Sequence, residues 1–162
     1  MTAAIRIRRA SSPQDLDCAR ELFEAYAASL EFDLEFQGFQ DELQRFPGEY
    51  TPPNGCLLIA EGEGGIGGCV GLRRIEDGVC EMKRLYVAPT LRGHGAGRAL
   101  AIAVMEEGRR LGYDCMRLDT VPSMTAARAL YSSLGFRPIE PYRHNPVQGT
   151  AYMECALTRD CF

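Results

Sequence analysis

No apolar run in this sequence approaches the ~20 residues that a bilayer-spanning helix requires. The opening stretch passes straight into the charged alternation Ile5-Arg6-Ile7-Arg8-Arg9, without the apolar core of a secretory leader, so a cytoplasmic location is the expectation. A C-x-x-C pair is missing as well. The seven cysteines (Cys18, Cys56, Cys69, Cys80, Cys115, Cys155 and Cys161) are dispersed and odd in number. That pattern describes neither a disulfide framework nor a zinc site, and it reads as buried thiols serving as small apolar residues. No metal is expected. Histidine is scarce, with only His94 and His144, and no local pattern supports a cysteine–histidine nucleophile. There is no surplus of basic charge: 18 Lys and Arg against 22 Asp and Glu leave a formal charge of −4. Such a surface opposes indiscriminate binding to nucleic acid, while a local basic groove would survive it.

What is present suits an ordinary globular core. A chain of 162 residues, 46% of them hydrophobic, is expected to bury roughly two-thirds of its unfolded surface without a metal or disulfide staple. One domain over residues 1–162 is the expectation, since neither repeats nor a long linker interrupt the chain.

The elements follow from spacing. Residues 5–8 alternate as a half-buried strand. Ser11-Ser12-Pro13 is a helix start, with a hydroxyl to cap free amides and a proline where its missing N–H costs nothing. Apolar residues from Leu16 to Leu30 keep helical spacing, and a second short helix is predicted over 39–46. Strands are predicted over 56–60, 67–74 and 79–87, the last two joined at Glu76-Asp77-Gly78. A glycine-rich loop then leads to a helix over 95–111 with Gly112 at its end. A strand over 115–120, a helix over 125–134 stopped by Gly135, and a last strand over 151–157 complete the chain. The strand–helix–strand unit places two parallel strands side by side in a mixed sheet, giving an α/β or α+β class.

The loop Arg92-Gly93-His94-Gly95-Ala96-Gly97-Arg98 carries the functional argument. A helix N-terminus offers unpaired amides and the positive end of the helix dipole. Glycines remove the Cβ atoms that would hold a phosphate away from those amides. The inference is a site for a diphosphate or a similar anion. A Walker loop would need Gly-Lys-Ser/Thr, and no lysine stands here. A G-x-G-x-x-G fingerprint would need a third glycine where Arg98 or Leu100 stands, although Asp119 lies at a suitable distance for ribose binding. The dinucleotide reading is therefore the weaker one.

The same residues resemble the R/Q-x-x-G-x-G/A signature of the GNAT N-acetyltransferase superfamily. The resemblance extends upstream through Glu81-Met82-Lys83-Arg84-Leu85-Tyr86-Val87. Downstream it continues through Arg117-Leu118-Asp119-Thr120 and Ala129-Leu130-Tyr131-Ser132-Ser133-Leu134-Gly135-Phe136. It implies a mixed, mostly antiparallel sheet splayed at its two central parallel strands, with helices on both faces, and an acetyl-CoA-dependent N-acetyltransferase acting on a primary amine in a ternary complex. An acyl-CoA-binding sensor or interaction module without catalysis is the alternative reading.

By that resemblance the backbone of Leu85, Tyr86 and Val87 pairs with the pantetheine arm as an added strand would. The amides of Arg92, Gly93, His94, Gly95, Ala96, Gly97 and Arg98 hold the pyrophosphate, with the Arg92 and Arg98 side chains either adding charge or remaining solvated. Tyr131 matches the acid that protonates the departing thiolate, a task suited to a phenol with an ordinary pKa of ~10. Glu81 matches a glutamate that takes a proton from the acceptor amine. Strand alternation would set Glu81, Lys83, Leu85 and Val87 on one face, and burial there would raise the Glu81 pKa. A Glu81–Lys83 or cross-strand ion pair is the competing reading. Met124 stands where many relatives carry an asparagine, leaving Ser123 as a substitute contact. His144 is a candidate substrate contact, and His94 reads as an exposed loop residue. Glu31, Phe32, Asp33, Glu35 and Phe36 either line the acceptor pocket, which would then favour a cationic amine, or form a solvated loop. Homodimer pairing through the last strand is common in similar proteins, and nothing in these residues compels it.

Overall fold

The computed structural model describes residues 4–30, 34, 38–122 and 124–157. Its order is β1 (Arg6–Arg9), α1 (Pro13–Ser29), α2 (Phe39–Gln44), β2 (Cys56–Gly62), β3 (Gly65–Glu76), β4 (Val79–Val87), α3 (Ala96–Arg110), β5 (Cys115–Thr120), α4 (Thr125–Ser133), β6 (Arg137–Ile139) and β7 (Ala151–Ala156). The strands form one seven-stranded sheet in the order β1-β2-β3-β4-β5-β7-β6. Every neighbouring pair is antiparallel except β4 and β5, which run parallel. That parallel pair is bridged by the α3 crossover, as parallel strands require.

Helix α1 begins where its sequence signals place it. The Ser12 hydroxyl accepts from the Asp15 amide while the Asp15 carboxylate accepts from the Ser12 amide, a reciprocal capping box. Arg8 clamps the same carboxylate from β1 through two hydrogen bonds of 2.6 and 2.9 Å, tying the helix start to the sheet edge.

Helices cover both faces of the sheet. Leu100, Val104 and Met105 of α3 pack with Met116, Leu118 and Leu157 in one core. Ala19, Leu22 and Phe23 of α1 and Phe39 of α2 pack with Leu57, Ile59 and Cys69 on the opposite face. Each large aliphatic or aromatic side chain so buried contributes about 1.5–3 kcal/mol relative to exposure. Among the described residues, no helix is long and apolar enough to cross a membrane.

Two local differences from the expected elements have physical causes. Helix α2 stops at Gln44, ahead of Phe46-Pro47, since proline restricts the residue before it. Strand β6 is three residues long and contains Pro138, too short and too interrupted to show periodicity.

Candidate active site

Strands β4 and β5 begin as partners and then part. Val79, Cys80 and Glu81 pair with Cys115, Met116 and Arg117, and the pairing ends there, although β4 continues to Val87 and β5 to Thr120. The cause of the separation lies on β4. Its register with β3 steps from Cys69↔Tyr86 to Gly71↔Lys83, so β4 carries one extra residue across that step. Arg84 sits there with φ of 59°, in the left-handed region that a side chain other than glycine seldom adopts. Packing offsets the strain: the Arg84 guanidinium donates twice to Glu42, at 3.1 Å each, and lies 5.3 Å from the Phe39 ring centre.

The bulge corrects the expected alternation. Cys80 and Met82 share the α3 side with Leu85 and Val87, whereas Glu81 and Lys83 face the other way. One inserted residue inverts every side chain beyond it.

A cavity of about 560 Å³ opens where the strands separate. Met82 to Val87 form one wall and Leu118 to Thr120 the other, with Tyr26 of α1 and Ala127, Leu130 and Tyr131 of α4 closing it. Arg92 and Gly97 stand at one end. There Gly93 and Gly95 adopt φ of 86° and 79°, and a Cβ added to either would meet nothing within 4 Å. No side chain caps the first turn of α3. Its leading amides therefore lie beside a bare, exposed main chain, as an anion site requires. The Arg92 Nε donates to the Val87 carbonyl at 2.9 Å, and its guanidinium lies 5.8 Å from the Tyr86 ring centre. The Arg98 guanidinium donates to the Ser133 hydroxyl at 3.2 Å, linking the loop to α4. His94 is exposed.

Tyr131 is 7% exposed and lines the cavity from α4, its ring edge-on to Phe136. Burial, then coupling to the neighbouring Tyr26 phenol and the Asp119 carboxylate, pushes its phenol well above the ordinary range, so it holds its proton at neutral pH. Lys83, the only lysine in the chain, is buried on the β4 wall, 4.0 Å from Asp119 Oδ1. Burial, aided by Arg84 and Arg73 and opposed by Glu81 and Asp119, brings its ammonium down to about 8.

Glu81 does not have the raised pKa expected of a poised base. It is fully buried, and burial alone would raise its pKa. Lys83, Arg73, Arg143 and the Tyr142 hydroxyl outweigh that effect and hold it at about 2. Arg73, its register partner on β3, donates to Oε1 at 2.9 Å, while Tyr142 at 2.6 Å and Arg143 donate to Oε2. The competing cross-strand ion pair is what the fold builds, and in a buried form. Through it the loop after β6 is held down, and Asn145 of that loop reaches the cavity while His144 is exposed.

Sequence reasoning passed over Lys83 and Tyr26 as cavity residues and weighed Asp119 only as a ribose ligand. The signal for Lys83 was its uniqueness in the chain; nothing local marked Tyr26. Met124 lines the cavity, while the proposed substitute Ser123 and the acceptor candidates Glu31, Phe32, Asp33, Glu35 and Phe36 lie outside the described residues. Among the described residues no group of three His, Cys, Asp or Glu side chains is arranged to hold a metal.

Comparison with known proteins agrees with this architecture. A model of the acetyltransferase (GNAT) family matches residues 19–136. An uncharacterised N-acetyltransferase of Schizosaccharomyces pombe is 40% identical over 157 residues, covering 96% of each chain. Among solved structures, a GNAT-family acetyltransferase from Staphylococcus aureus superposes with a TM-score of 0.77 at 21% identity, covering 96% of this chain and all of that one. An acetyltransferase from Salmonella typhimurium, solved with its cofactor acetyl-CoA, gives 0.69 at 21% identity over 96% of this chain and 95% of its own.

Proposed function

The chain belongs to the GNAT acetyltransferase family, and from that premise we propose that it transfers an acetyl group from acetyl-CoA to a primary amine by direct attack in a ternary complex. The observation that carries this reading is the parting of β4 and β5 into a cavity that runs from the glycine-lined start of α3 to the Tyr131 side chain. The residues present fit acetyl-CoA: open glycines and uncapped amides for a diphosphate, a strand edge freed of its neighbour for an extended arm, and a protonated phenol near the strand gap.

In this reading the amides from Gly93 to Arg98 hold the diphosphate and the Arg92 guanidinium adds charge beside it. The freed edge of β4 from Leu85 to Val87 aligns the arm. The acceptor nitrogen attacks the thioester carbonyl, the C–S bond breaks, and the Tyr131 hydroxyl delivers its proton to the departing sulfur. The proton lost by the nitrogen restores the phenol through solvent. We assign Glu81 a holding role instead of the proton acceptor's, because its carboxylate already accepts from Arg73, Tyr142 and Arg143 and is held at about 2. Its work is to anchor the loop that brings Asn145 to the cavity.

The test couples binding to turnover. Acetyl-CoA should raise the melting temperature, with NAD and ATP giving no comparable rise, since a ligand selective for the folded form stabilises it. A primary amine should then release free CoA thiol. Stabilisation without thiol release from any amine would favour an acyl-CoA-binding module, and stabilisation by NAD alone would overturn the reading.

A further inference from the structure

We propose that Asp119 is the group that receives the acceptor's amine, its Oδ2 accepting a hydrogen bond from the nitrogen that will be acetylated. This rests on the acetyl-transfer reading above and extends it to the acceptor end of the cavity.

The observation is an unfilled acceptor. Asp119 lies on β5 two residues beyond Arg117, the last to pair with β4, and forms part of the cavity wall. Its side chain is 9% exposed. Oδ1 faces Lys83 at 4.0 Å, while Oδ2 is buried and nothing among the described residues donates to it. An ionised carboxylate has about four lone-pair sites and is costly to bury with one oxygen unpaired. Such a group in a cavity wall calls for a donor from outside the protein, and an amine entering the cavity is one that can supply it.

The other charges around the cavity leave this role to Asp119. Among the described residues lining it, the charged ones are Lys83, Arg84, Arg92 and Asp119, so Asp119 is the sole carboxylate. Arg84 is bound to Glu42, and Arg92 stands at the end marked by the α3 glycines. Glu81, the other acidic candidate, is saturated by three donors and is not among the lining residues. Asp119 also lies close enough to Tyr131 for its charge to help raise that phenol's pKa, which puts the bound nitrogen near the proton donor for the leaving sulfur. The chemistry this selects is a primary amine that arrives as an ammonium and forms a charge-assisted hydrogen bond with the carboxylate; one proton then leaves it to solvent, and the neutral nitrogen, still donating to Asp119, attacks the thioester. Lys83 disfavours a second cation that does not contact Asp119.

The experiment is steady-state kinetics at saturating acetyl-CoA. The twenty L-amino acids, glycinamide, ethanolamine and spermidine are screened with the wild-type protein, and the best acceptor is carried to Asp119→Asn and Asp119→Ser. The expected result is that KM for the amine rises about tenfold or more in both variants, the loss of one hydrogen bond to a charged group. The KM for acetyl-CoA and the melting shift it causes should stay within about twofold of wild type. An amine KM that stays near wild type in a variant that binds acetyl-CoA overturns the proposal. Parallel loss of acetyl-CoA binding in both variants also overturns it, since Asp119 would then shape the cavity instead of reading the acceptor. A wild-type protein that binds acetyl-CoA but acetylates none of these amines removes the amine-transfer reading, and this inference falls with it.

Discussion

Tyr131 and Glu81 are both buried ionisable groups, and their surroundings drive them in opposite directions. Tyr131 has burial, a neighbouring phenol and the Asp119 carboxylate, so its proton is held firmly. Glu81 has burial opposed by three cations and a hydroxyl, so its proton is given up readily. The first is suited to donating a proton late in a reaction, the second to holding cations in place. Replacing Tyr131 by Phe should lower kcat by about a hundredfold or more, the usual contribution of general acid catalysis. Acetyl-CoA affinity should be unchanged, and an unaltered kcat would remove Tyr131 from the chemistry. Glu81→Gln should destabilise the fold by about 3 kcal/mol or more, because Arg73 and Arg143 lose a buried partner. The pH dependence follows from its sign. The folded pKa lies below the ordinary 4.5, so the stability it contributes is complete above 4.5 and lost as pH falls toward 2. Urea denaturation between pH 6 and 2.5 should show that loss in the wild type, and the Gln variant should lack this component. Equal stability and equal acid sensitivity in the two proteins would contradict the assignment.

At the scale of elements, the strand β4 does most to place the site, and its decisive feature was hidden from local pattern. The bounds of β4, β5 and α3 follow from apolar spacing, from proline and glycine at their ends, and from the turn at Glu76-Asp77-Gly78; these are near-neighbour effects and are legible in sequence. The bulge at Arg84 is not, because it is held by Glu42, 42 residues away, and by Phe39. Without it, strand alternation would set Glu81, Lys83, Leu85 and Val87 on one face. The saturation of Glu81 was hidden for the same reason, since Tyr142 and Arg143 reach it only after the chain has returned across the sheet. The start of α3 lies at the legible extreme, where glycine spacing alone pointed to an anion site. Gly95 has a left-handed φ in open space, so alanine there costs about 1 kcal/mol of backbone strain without a clash. Gly95→Ala should therefore lower melting temperature slightly while weakening acetyl-CoA binding measurably by calorimetry. Wild-type affinity in that variant would show that the α3 amides do not carry the diphosphate.

For the molecule as a whole, charge is distributed against its own average. The chain carries a formal −4, yet the described residues lining the cavity include Lys83, Arg84 and Arg92 against Asp119 alone. Arg84 is balanced by Glu42 and Lys83 faces Asp119, so among the described lining residues Arg92, beside the uncapped start of α3, is the cation placed to draw a polyanionic coenzyme into an acidic protein. The seven-stranded sheet fixes this arrangement by interrupting itself at one place, between the two strands that run parallel. The central claim is that this gap and the adjoining start of α3 are where acetyl-CoA lies. Hydrogen–deuterium exchange with and without acetyl-CoA tests it most directly. The account predicts added protection concentrated in residues 82–87 and 92–98, with little change at β1 and β2. Protection confined elsewhere, or none at a concentration of acetyl-CoA that supports turnover, would contradict it.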